Sequence, residues 1–417
     1  MSVSIKELVF RQYPWYLNLQ ALNLILPLIA YPYLLRCIGP ERYGLIAVAG
    51  AFGLILTTVS DYGTGMTGVR ETAIRRGDPN GLSVFLGSKM LLRGSIYLLS
   101  LLISIPLFLF VPFFREEMPL VLLSAAVVVP MHLYPQWLFV GLERVREYSF
   151  MIFLNKAVSL VLVFVFVQNA DDYVLFPLTV LLPSLMTAVT ALFYLRTIGI
   201  RLALPRSFDI QRELSEGFPM SVSQLVTTFY SQWNSMVLFW LLPQPALVGY
   251  FAFAERIITI VRGLLAPFNQ LFLPSSAGTF AESFRTGYAH VLRISRFSFA
   301  VNLLGTIVLV LAAPLIVPLI GGEAFIPAVT TLRYYAPVLI LAGFNNLAGV
   351  HILLNTGMHK EFMAGVFAGL FVNLAAMALL VPVTGFHAPA ISSVMAESAV
   401  LMFFLWTVRR KAVSWTA

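Results

Sequence analysis

The sequence predicts an all-α membrane protein of about twelve transmembrane helices, and three observations carry this prediction. Of the 417 residues, 59% are apolar and only 11% are charged, against roughly a half and a quarter in an ordinary soluble domain. The mean hydropathy is +0.86 over the whole length. Apolar runs of about 20 residues, the length that crosses a bilayer, recur from one end to the other. The single cysteine, Cys37, cannot form an intramolecular disulfide or a cysteine metal site.

The apolar runs predict two sets of six spans. The first set lies at 14–36, 43–62, 83–111, 118–140, 148–168 and 174–196, and the second at 217–242, 246–273, 297–320, 328–354, 362–382 and 387–408. We therefore predict an N-terminal six-helix bundle over 1–196 and a C-terminal one over 217–417. Charged and apolar residues alternate between them, which predicts a cytoplasmic amphipathic linker over 197–216.

Because six is an even number of spans, two such halves would be parallel repeats related by an axis along the membrane normal. This arrangement is found in transporters. Internal similarity supports this weakly. Span two and span eight open with matching residues, Gly44 with Gly249 and Ala47 with Ala252.

The basic residues predict the orientation of the chain. Of the 27 Lys and Arg residues, 20 fall in alternate loops on one side, three on the other and four inside spans. This bias predicts that both termini are cytoplasmic. The basic residues that give the net charge of +8 lie between apolar runs. A nucleic-acid-binding protein would instead carry them in a basic patch that faces solvent, so the sequence argues against nucleic-acid binding.

Charged residues inside spans are candidate functional residues, because each costs about 2.5 to 3.5 kcal/mol at a span centre. Arg262 is the deepest of them, and span eight places Glu255, Thr259, Arg262 and Asn269 on one face. Two interpretations stay open: Glu255 and Arg262 pair with neighbouring helices as structural glue, or the face is an anion site. Arg256 points about 100° away from Glu255 and either snorkels or faces a different neighbouring helix.

Two further spans carry polar stripes. The first span has Gln20, Asn23 and Tyr31, and the seventh has Gln224, Tyr230 and Asn234. Amides at membrane depth need internal partners or water, so these stripes predict either the lining of a cavity or contacts between helices. We favour the cavity.

The acids Glu255 and Glu397 lie deep in their spans, and Asp61 closes span two. Buried carboxylates of this kind can couple transport to H⁺ or Na⁺, although for Asp61 we favour a capping or interfacial role before Gly63. Lys89 and Arg93 lie one turn apart at the start of span three and are expected to snorkel, or alternatively to gather a phosphate. No phosphate-binding loop and no histidine pair at metal-ligand spacing occurs in the sequence, so neither ATP hydrolysis by that route nor a metal site is expected.

Four stretches carry a resemblance to a known family. They are LPLIAYPYLLRCIGPERYG at 26–44, DYG at 61–63 followed by VRETA at 69–73, QWLFVGLER at 136–144, and YFAFAERI at 250–257. The chain resembles the Wzx-type O-antigen flippases, which are lipid-linked oligosaccharide transporters in the polysaccharide-export branch of the superfamily that also holds multidrug extrusion antiporters. Beyond span eight it matches mainly in hydropathy.

The resemblance implies a non-enzymatic transporter of the bacterial inner membrane. It implies a MATE-like fold of two six-helix bundles in a V that opens to one side at a time, with spans one, two, seven and eight lining the cavity. The cargo would be an oligosaccharide on undecaprenyl pyrophosphate, and a polysaccharide polymerase and a chain-length regulator would be partners. No cofactor is expected apart from H⁺ or Na⁺ as the coupling ion.

The resemblance also suggests roles for the candidate residues. Arginine matches phosphate oxygens with a planar fork of donors, so Arg256 and Arg262 are expected to bind the pyrophosphate, with Arg36 receiving it before release. The sugar is expected to meet a set of cavity-lining residues, namely Gln20, Asn23, Tyr31, Gln224, Tyr230, Asn234 and Asn269.

Two other classes of function remain as alternatives. A cation-coupled multidrug antiporter would use Glu255, Glu397 or Asp61 as its ion site, but the buried Arg and Lys residues would repel organic cations. A membrane polysaccharide polymerase or ligase would need catalytic groups in a large outer loop. The predicted outer loops, such as 37–42 and 112–117, hold only a few residues.

Overall fold

The computed structural model describes residues 5–203 and 207–416, with side chains described from residue 28 to 410 apart from gaps that include 204–210, 230–232 and 266–271. In the two described ranges the chain is helical, without a β-strand. The all-α class is therefore confirmed.

The helices of the first half are α1 (Ile5–Asp61), α2 (Thr64–Ile74), α3 (Pro79–Phe110), α4 (Pro112–Glu116), α5 (Met118–Ala126), α6 (Val128–Leu133), α7 (Gln136–Gly141), α8 (Val145–Phe166), α9 (Phe176–Thr197) and α10 (Ser207–Gln232). Those of the second half are α11 (Asn234–Leu241), α12 (Pro245–Leu271), α13 (Leu273–Glu282), α14 (Phe284–Gly321), α15 (Ala328–Tyr335), α16 (Val338–Asn346), α17 (His359–Thr384) and α18 (Ala388–Thr416). A π-helical segment, Leu347–Leu354, extends α16, and short 3₁₀ turns lie at Ala170–Leu175, Glu323–Phe325 and Gly385–His387.

Helices occupy the predicted spans, but among the described residues eight stretches, not twelve, are long and apolar enough to cross a membrane, and the predicted spans 217–242 and 246–273 are not among them. One of these stretches, His359–Arg410, contains two predicted spans, and another, Leu28–Asp61, contains the second predicted span and the end of the first. The stretch Leu28–Asp61 bends at Gly39, whose φ of 70° lies in the left-handed region that favours glycine. The stretch His359–Arg410 is interrupted by the turn Gly385–His387. The chain is a multi-pass helical membrane protein.

Some helix ends differ from the prediction. Within the described part of the predicted linker, α10 begins at Ser207 and continues without a break to Gln232, so residues 207–216 form its first turns. The predicted fourth span consists of three short helices, α5 to α7. Pro135 precedes the last of them, and a proline cannot donate the backbone hydrogen bond that a continuous helix requires.

The chain forms two compact units, one of Met1–Ile38 with Val48–Thr228 and one of Gly39–Ala47 with Phe229–Ala417. We call them unit 1 and unit 2. The nine residues from Gly39 to Ala47 pack in unit 2 because their backbone approaches that of α12 closely. A Cβ atom on Gly44 would overlap the Pro245 carbonyl, and one on Gly249 would overlap the Pro40 carbonyl. The two glycines matched in the sequence therefore meet in the structure.

In unit 1, the stretches that carry the family resemblance pack on one another. A Cβ on Gly68 of α2 would overlap the ring of Trp137 of α7, and a Cβ on Gly141 would overlap the Thr72 side chain. Arg76 donates to the Gly141 carbonyl at 2.7 Å through Nη2. These contacts join the 61–73 region to the 136–144 region.

Helix α14 has one face that packs in the protein core and another that faces lipid. Its buried face carries Ser298, Asn302 and Thr306, one turn apart, and Thr306 Oγ1 donates to the carbonyls of Asn302 at 2.8 Å and Ala336 at 3.4 Å. Large apolar side chains, including Leu311 and Leu315, are 72% exposed. Polar groups thus face protein and apolar groups face lipid, the arrangement that a bilayer requires.

Candidate functional site

Unit 2 contains a buried network of charged and polar side chains from five helices. At its centre, Arg262 of α12 donates from Nη2 to Glu397 Oε1 of α18 at 2.9 Å. The Glu397 side chain is 10% exposed and that of Arg262 is 35% exposed. The carboxylate is therefore inside the packed helices, whereas part of the guanidinium reaches open space.

The second oxygen of Glu397 has a separate partner. Asn345, at the end of α16, donates from Nδ2 to Glu397 Oε2 at 2.6 Å and to the Glu397 carbonyl at 2.9 Å. These two contacts fix the carboxylate to α16 independently of Arg262. A buried carboxylate with a cation on one oxygen and an amide on the other is well compensated for the loss of water.

The other acid of the predicted stripe, Glu255, lies further along α12. Its Oε2 accepts a hydrogen bond from Ser235 Oγ of α11 at 3.4 Å, and its Oε1 is buried without a hydrogen-bond partner among the described atoms. Arg256, next to it in sequence, is half-buried. Glu255 and Glu397 thus both contact neighbouring helices, as the interpretation of structural glue requires, while the exposed part of Arg262 leaves the anion-site interpretation open.

Polar side chains at the edge of the network complete it. Asn234 is 2% exposed and donates from Nδ2 to Ser393 Oγ at 3.1 Å. Tyr335 of α15 is buried and also hydrogen-bonds Ser393, within electrostatic reach of Glu255, Arg262 and Glu397. An amide at membrane depth needs either a protein partner or water, and the Asn234 amide has a protein partner.

Unit 1 holds a second buried charge cluster, at the corner between α1 and α2. Tyr62 and Gly63 both have positive φ, 49° and 69°, so the chain turns sharply after Asp61. Asp61 Oδ2 accepts from the Gly65 N–H at 3.2 Å, and Asp61 Oδ1 pairs with Arg93 Nη2 at 2.9 Å. Asp61 is thus both a helix cap and one half of an ion pair whose side chains are 13% and 7% exposed.

The expectation that Lys89 and Arg93 snorkel to the head groups is wrong. Lys89 is 2% exposed and Arg93 is 6% exposed, because the face of α3 that carries them packs inside unit 1. Lys89 Nζ lies 3.4 Å from Thr67 Oγ1 and 5.4 Å from the Phe85 ring centre. Both cations therefore satisfy their charge within the protein.

His132 of α6 extends this cluster. Its Nε2 lies 2.8 Å from Ser60 Oγ, and the Ser60 hydroxyl also contacts the Leu56 carbonyl. The imidazole is 5% exposed, and its ring centre lies 6.3 Å from that of Tyr97. The sequence offered no reason to select this histidine, since it stands alone among apolar residues.

Of the seven remaining candidate residues, the structure describes the side chains of three. Arg36 is exposed near the bend of α1, and Tyr31 is half-buried. Gln224 is half-buried, and its Oε1 has no hydrogen-bond partner among the described atoms. The side chains of Gln20, Asn23, Tyr230 and Asn269 lie outside the described residues.

Three members of the unit 2 network were not among the predicted site residues: Tyr335, Asn345 and Ser393. Asn345 was detectable as a polar residue inside a span, and its neighbour Asn346 strengthens that signal. Tyr335 and Ser393 resemble ordinary packing residues of membrane helices. Only their contacts single them out.

The fold is shared with solved transporters. An inward-closed structure of the lipid II flippase MurJ superposes with a TM-score of 0.75 at 12% identity, covering 96% of this chain and 87% of that one. An inward-facing multidrug resistance MATE family transporter of the MOP superfamily superposes with a TM-score of 0.69 at 17% identity, covering 94% and 95%. This chain therefore has the fold of these multi-pass helical proteins.

The family follows from the sequence comparisons. The chain belongs to the family described as polysaccharide biosynthesis protein, whose model matches residues 9–279. A candidate O-antigen transporter of Escherichia coli strain K12 is 24% identical over 372 residues, 88% of this chain and 87% of that one. A candidate O-antigen transporter of Shigella dysenteriae is 20% identical over 391 residues, covering 93% and 96%.

Proposed function

We propose that this chain is a flippase that moves an undecaprenyl-pyrophosphate-linked oligosaccharide, an O-antigen unit, from the cytoplasmic to the periplasmic leaflet. The family and the two related O-antigen transporters support this cargo. Movement is by alternating access of two six-helix bundles that form a V in the bacterial inner membrane, with both termini cytoplasmic. The bias of Lys and Arg toward one side supports that orientation.

The observation that carries the proposal is the position of Arg262. Arg262 lies on α12, its guanidinium pairs with Glu397 of α18, and its side chain is 35% exposed. A buried arginine costs several kcal/mol, and its open side offers forked donors that fit phosphate oxygens. Arg262 with Arg256 binds the pyrophosphate, and Arg36, which is exposed near the bend of α1, receives it before release.

Other residues bind the sugar and the coupling ion. The oligosaccharide contacts polar side chains of the cavity, for which we propose Gln20, Asn23, Tyr31, Gln224, Tyr230, Asn234 and Asn269. Glu255, Glu397 and Asp61 are the candidates for H⁺ or Na⁺ coupling. The polyprenyl tail stays in lipid, so that only the head group crosses.

A cation-coupled multidrug antiporter is the second candidate, since the MATE transporter shares the fold. Glu255 contacts the Ser235 hydroxyl and is the ion site that this candidate would use, but the other two candidate acids are paired with arginines, Glu397 with Arg262 and Asp61 with Arg93. An organic cation at either carboxylate would have to displace a guanidinium that the same helices hold in place.

The test is transbilayer movement of a lipid-linked oligosaccharide in proteoliposomes, with and without a pH, Na⁺ or voltage gradient. We expect movement by the wild type, at least a tenfold loss in Arg262→Ala, and wild-type rates in Arg144→Ala, which removes an exposed ion pair with Glu147. Equal movement by Arg262→Ala would exclude the anion site. Uptake of an organic cation without any lipid movement would favour the antiporter.

A further inference from the structure

The two oxygens of Glu397 are held in different ways. Oε2 is fixed by Asn345 of α16 at 2.6 Å, deep within unit 2. Oε1 is held by the Arg262 guanidinium at 2.9 Å, and that guanidinium is the more exposed partner, at 35% against 10%. One contact is therefore an internal contact between helices, and the other involves a group within reach of a ligand.

A pyrophosphate at the open side of Arg262 competes with Oε1 for the same guanidinium. Phosphate oxygens bind arginine through two parallel N–H donors, and a pyrophosphate carries more negative charge than one carboxylate. When the guanidinium turns to the phosphate, Oε2 keeps its hydrogen bond from Asn345, but Oε1 loses the Arg262 guanidinium with which it pairs. A buried carboxylate without its cation is strongly unfavourable, and a proton on Oε1 removes the charge.

We infer that Glu397 is an exchangeable counter-ion of Arg262: it releases the guanidinium to the pyrophosphate and takes up one proton at Oε1 as the ligand binds. The inference rests on the proposed function, because it requires a pyrophosphate at Arg262. The proton comes from bulk solvent, and no covalent bond of the ligand changes. Binding of the lipid-linked substrate is thereby linked to protonation, a property that the static ion pair alone does not supply.

The groups around Glu397 determine how the linkage must be measured. Helix α12 presents Glu255, Arg256 and Arg262, α15 presents Tyr335, and α16 presents Asn345. Glu255 is a second carboxylate in this environment, and the pyrophosphate titrates as well. The proton uptake of Glu397 is therefore the difference between the wild type and Glu397→Gln, in which every other titratable group is retained.

The experiment is isothermal titration calorimetry of the full-length protein in detergent micelles with farnesyl pyrophosphate, a short prenyl pyrophosphate that carries no sugar. Titration in two buffers of different ionisation enthalpy gives the number of protons taken up. We expect the wild type to take up one more proton than Glu397→Gln. In alkaline solution its affinity should fall by up to a further tenfold per pH unit relative to that variant.

The sign of the affinity change separates exchange from simple positioning. Under exchange, Glu397→Gln binds more tightly than the wild type, because no carboxylate competes for Arg262. If Glu397 merely orients Arg262, the variant binds more weakly and its proton uptake equals that of the wild type, which would overturn the inference and leave the proposed function intact. Glu147→Gln, which changes an exposed acid paired with Arg144, serves as the matched control and should equal the wild type.

Two further results complete the design. Absence of binding by the wild type, or equal binding by Arg262→Ala, would overturn the pyrophosphate site and the inference together. If Glu397→Gln does not yield folded protein, infrared difference spectra of the wild type on addition of farnesyl pyrophosphate test the same step. A new carboxylic-acid C=O band supports the exchange, and its absence contradicts it.

Discussion

At the scale of single residues, the described interior tolerates charges that have a compensating group. Arg93 pairs with Asp61 in unit 1, and Arg262 pairs with Glu397 in unit 2. The two pairs differ in exposure: the Arg93 side chain is 7% exposed and that of Arg262 is 35% exposed. For this reason we assign the binding of the pyrophosphate to the second pair, and we expect the first pair to stabilise the fold whether or not Asp61 also couples an ion.

The Arg93 pair gives a stability prediction. In Arg93→Ala the Asp61 carboxylate loses its cation while it stays mostly buried, and breaking such a pair costs about 3 to 5 kcal/mol. We expect a clear loss of thermal stability for the purified protein in detergent, read from its melting temperature. Arg144→Ala, which breaks an exposed pair, should change the melting temperature little. A melting temperature unchanged in both variants would mean that Asp61 is satisfied without Arg93.

At the scale of elements, close contact between backbones joins α12 to the segment after the bend of α1. Gly249→Ala places a methyl group on the Pro40 carbonyl, so the helices must separate. Overpacking of this kind costs about 1 to 3 kcal/mol, and we expect a lower melting temperature and lower expression. Gly50→Ala, in α1 with open space around its Cβ, is the control and should be neutral or slightly stabilising. Equal behaviour of the two variants would refute the close approach.

A second contact between elements explains Arg333, one of the basic residues inside spans. Pro314 lies within α14. Because proline has no backbone N–H, it cannot donate to the carbonyl of Val310, four residues earlier. Arg333 Nε donates to that carbonyl at 3.2 Å. The side chain thus replaces a hydrogen bond that the helix itself lacks.

A double-mutant cycle tests this replacement. Arg333→Ala should destabilise the protein slightly, by about 0.5 kcal/mol, since the side chain is exposed. In a Pro314→Ala background, the restored N–H satisfies Val310, and Arg333→Ala should then have no effect. Melting temperatures of the four proteins measure the coupling. Additive effects would show that Arg333 acts elsewhere.

At the scale of the whole molecule, the orientation of the chain follows from charge and is directly testable. The native Cys37 is the only cysteine, so a Cys37→Ala protein is a suitable background for thiol labelling. We expect a membrane-impermeant maleimide, added to intact spheroplasts, to label Asp171→Cys and not Glu143→Cys. Labelling of Glu143→Cys should require permeabilised cells. The reverse pattern would place the termini on the periplasmic side.

Hydropathy alone determined the class and the positions of the helices. The bilayer is a uniform apolar solvent, so a span needs only enough consecutive apolar residues to cross it, and this property is local in sequence. Helices therefore occupy the predicted spans, whereas the shorter helices α2 and α13 were not predicted. The breaks at Trp233 and at Pro135 depend on local backbone geometry, and hydropathy carries little information about them.

The sequence also selected Arg262, Glu255, Glu397 and Asp61 as buried charges that require a reason. It could not assign their partners. Arg262 and Glu397 lie 135 positions apart in sequence, and Asn345 and Glu397 lie 52 positions apart. The periodicity of a helix does not predict contacts between residues so far apart in sequence. Helix packing alone decided these pairs, and it placed Lys89 and Arg93 inside unit 1 rather than at the head groups. Burial cost is thus a property of the sequence, whereas its compensation is a property of the tertiary structure, because a partner must be brought within about 3 Å by a different helix.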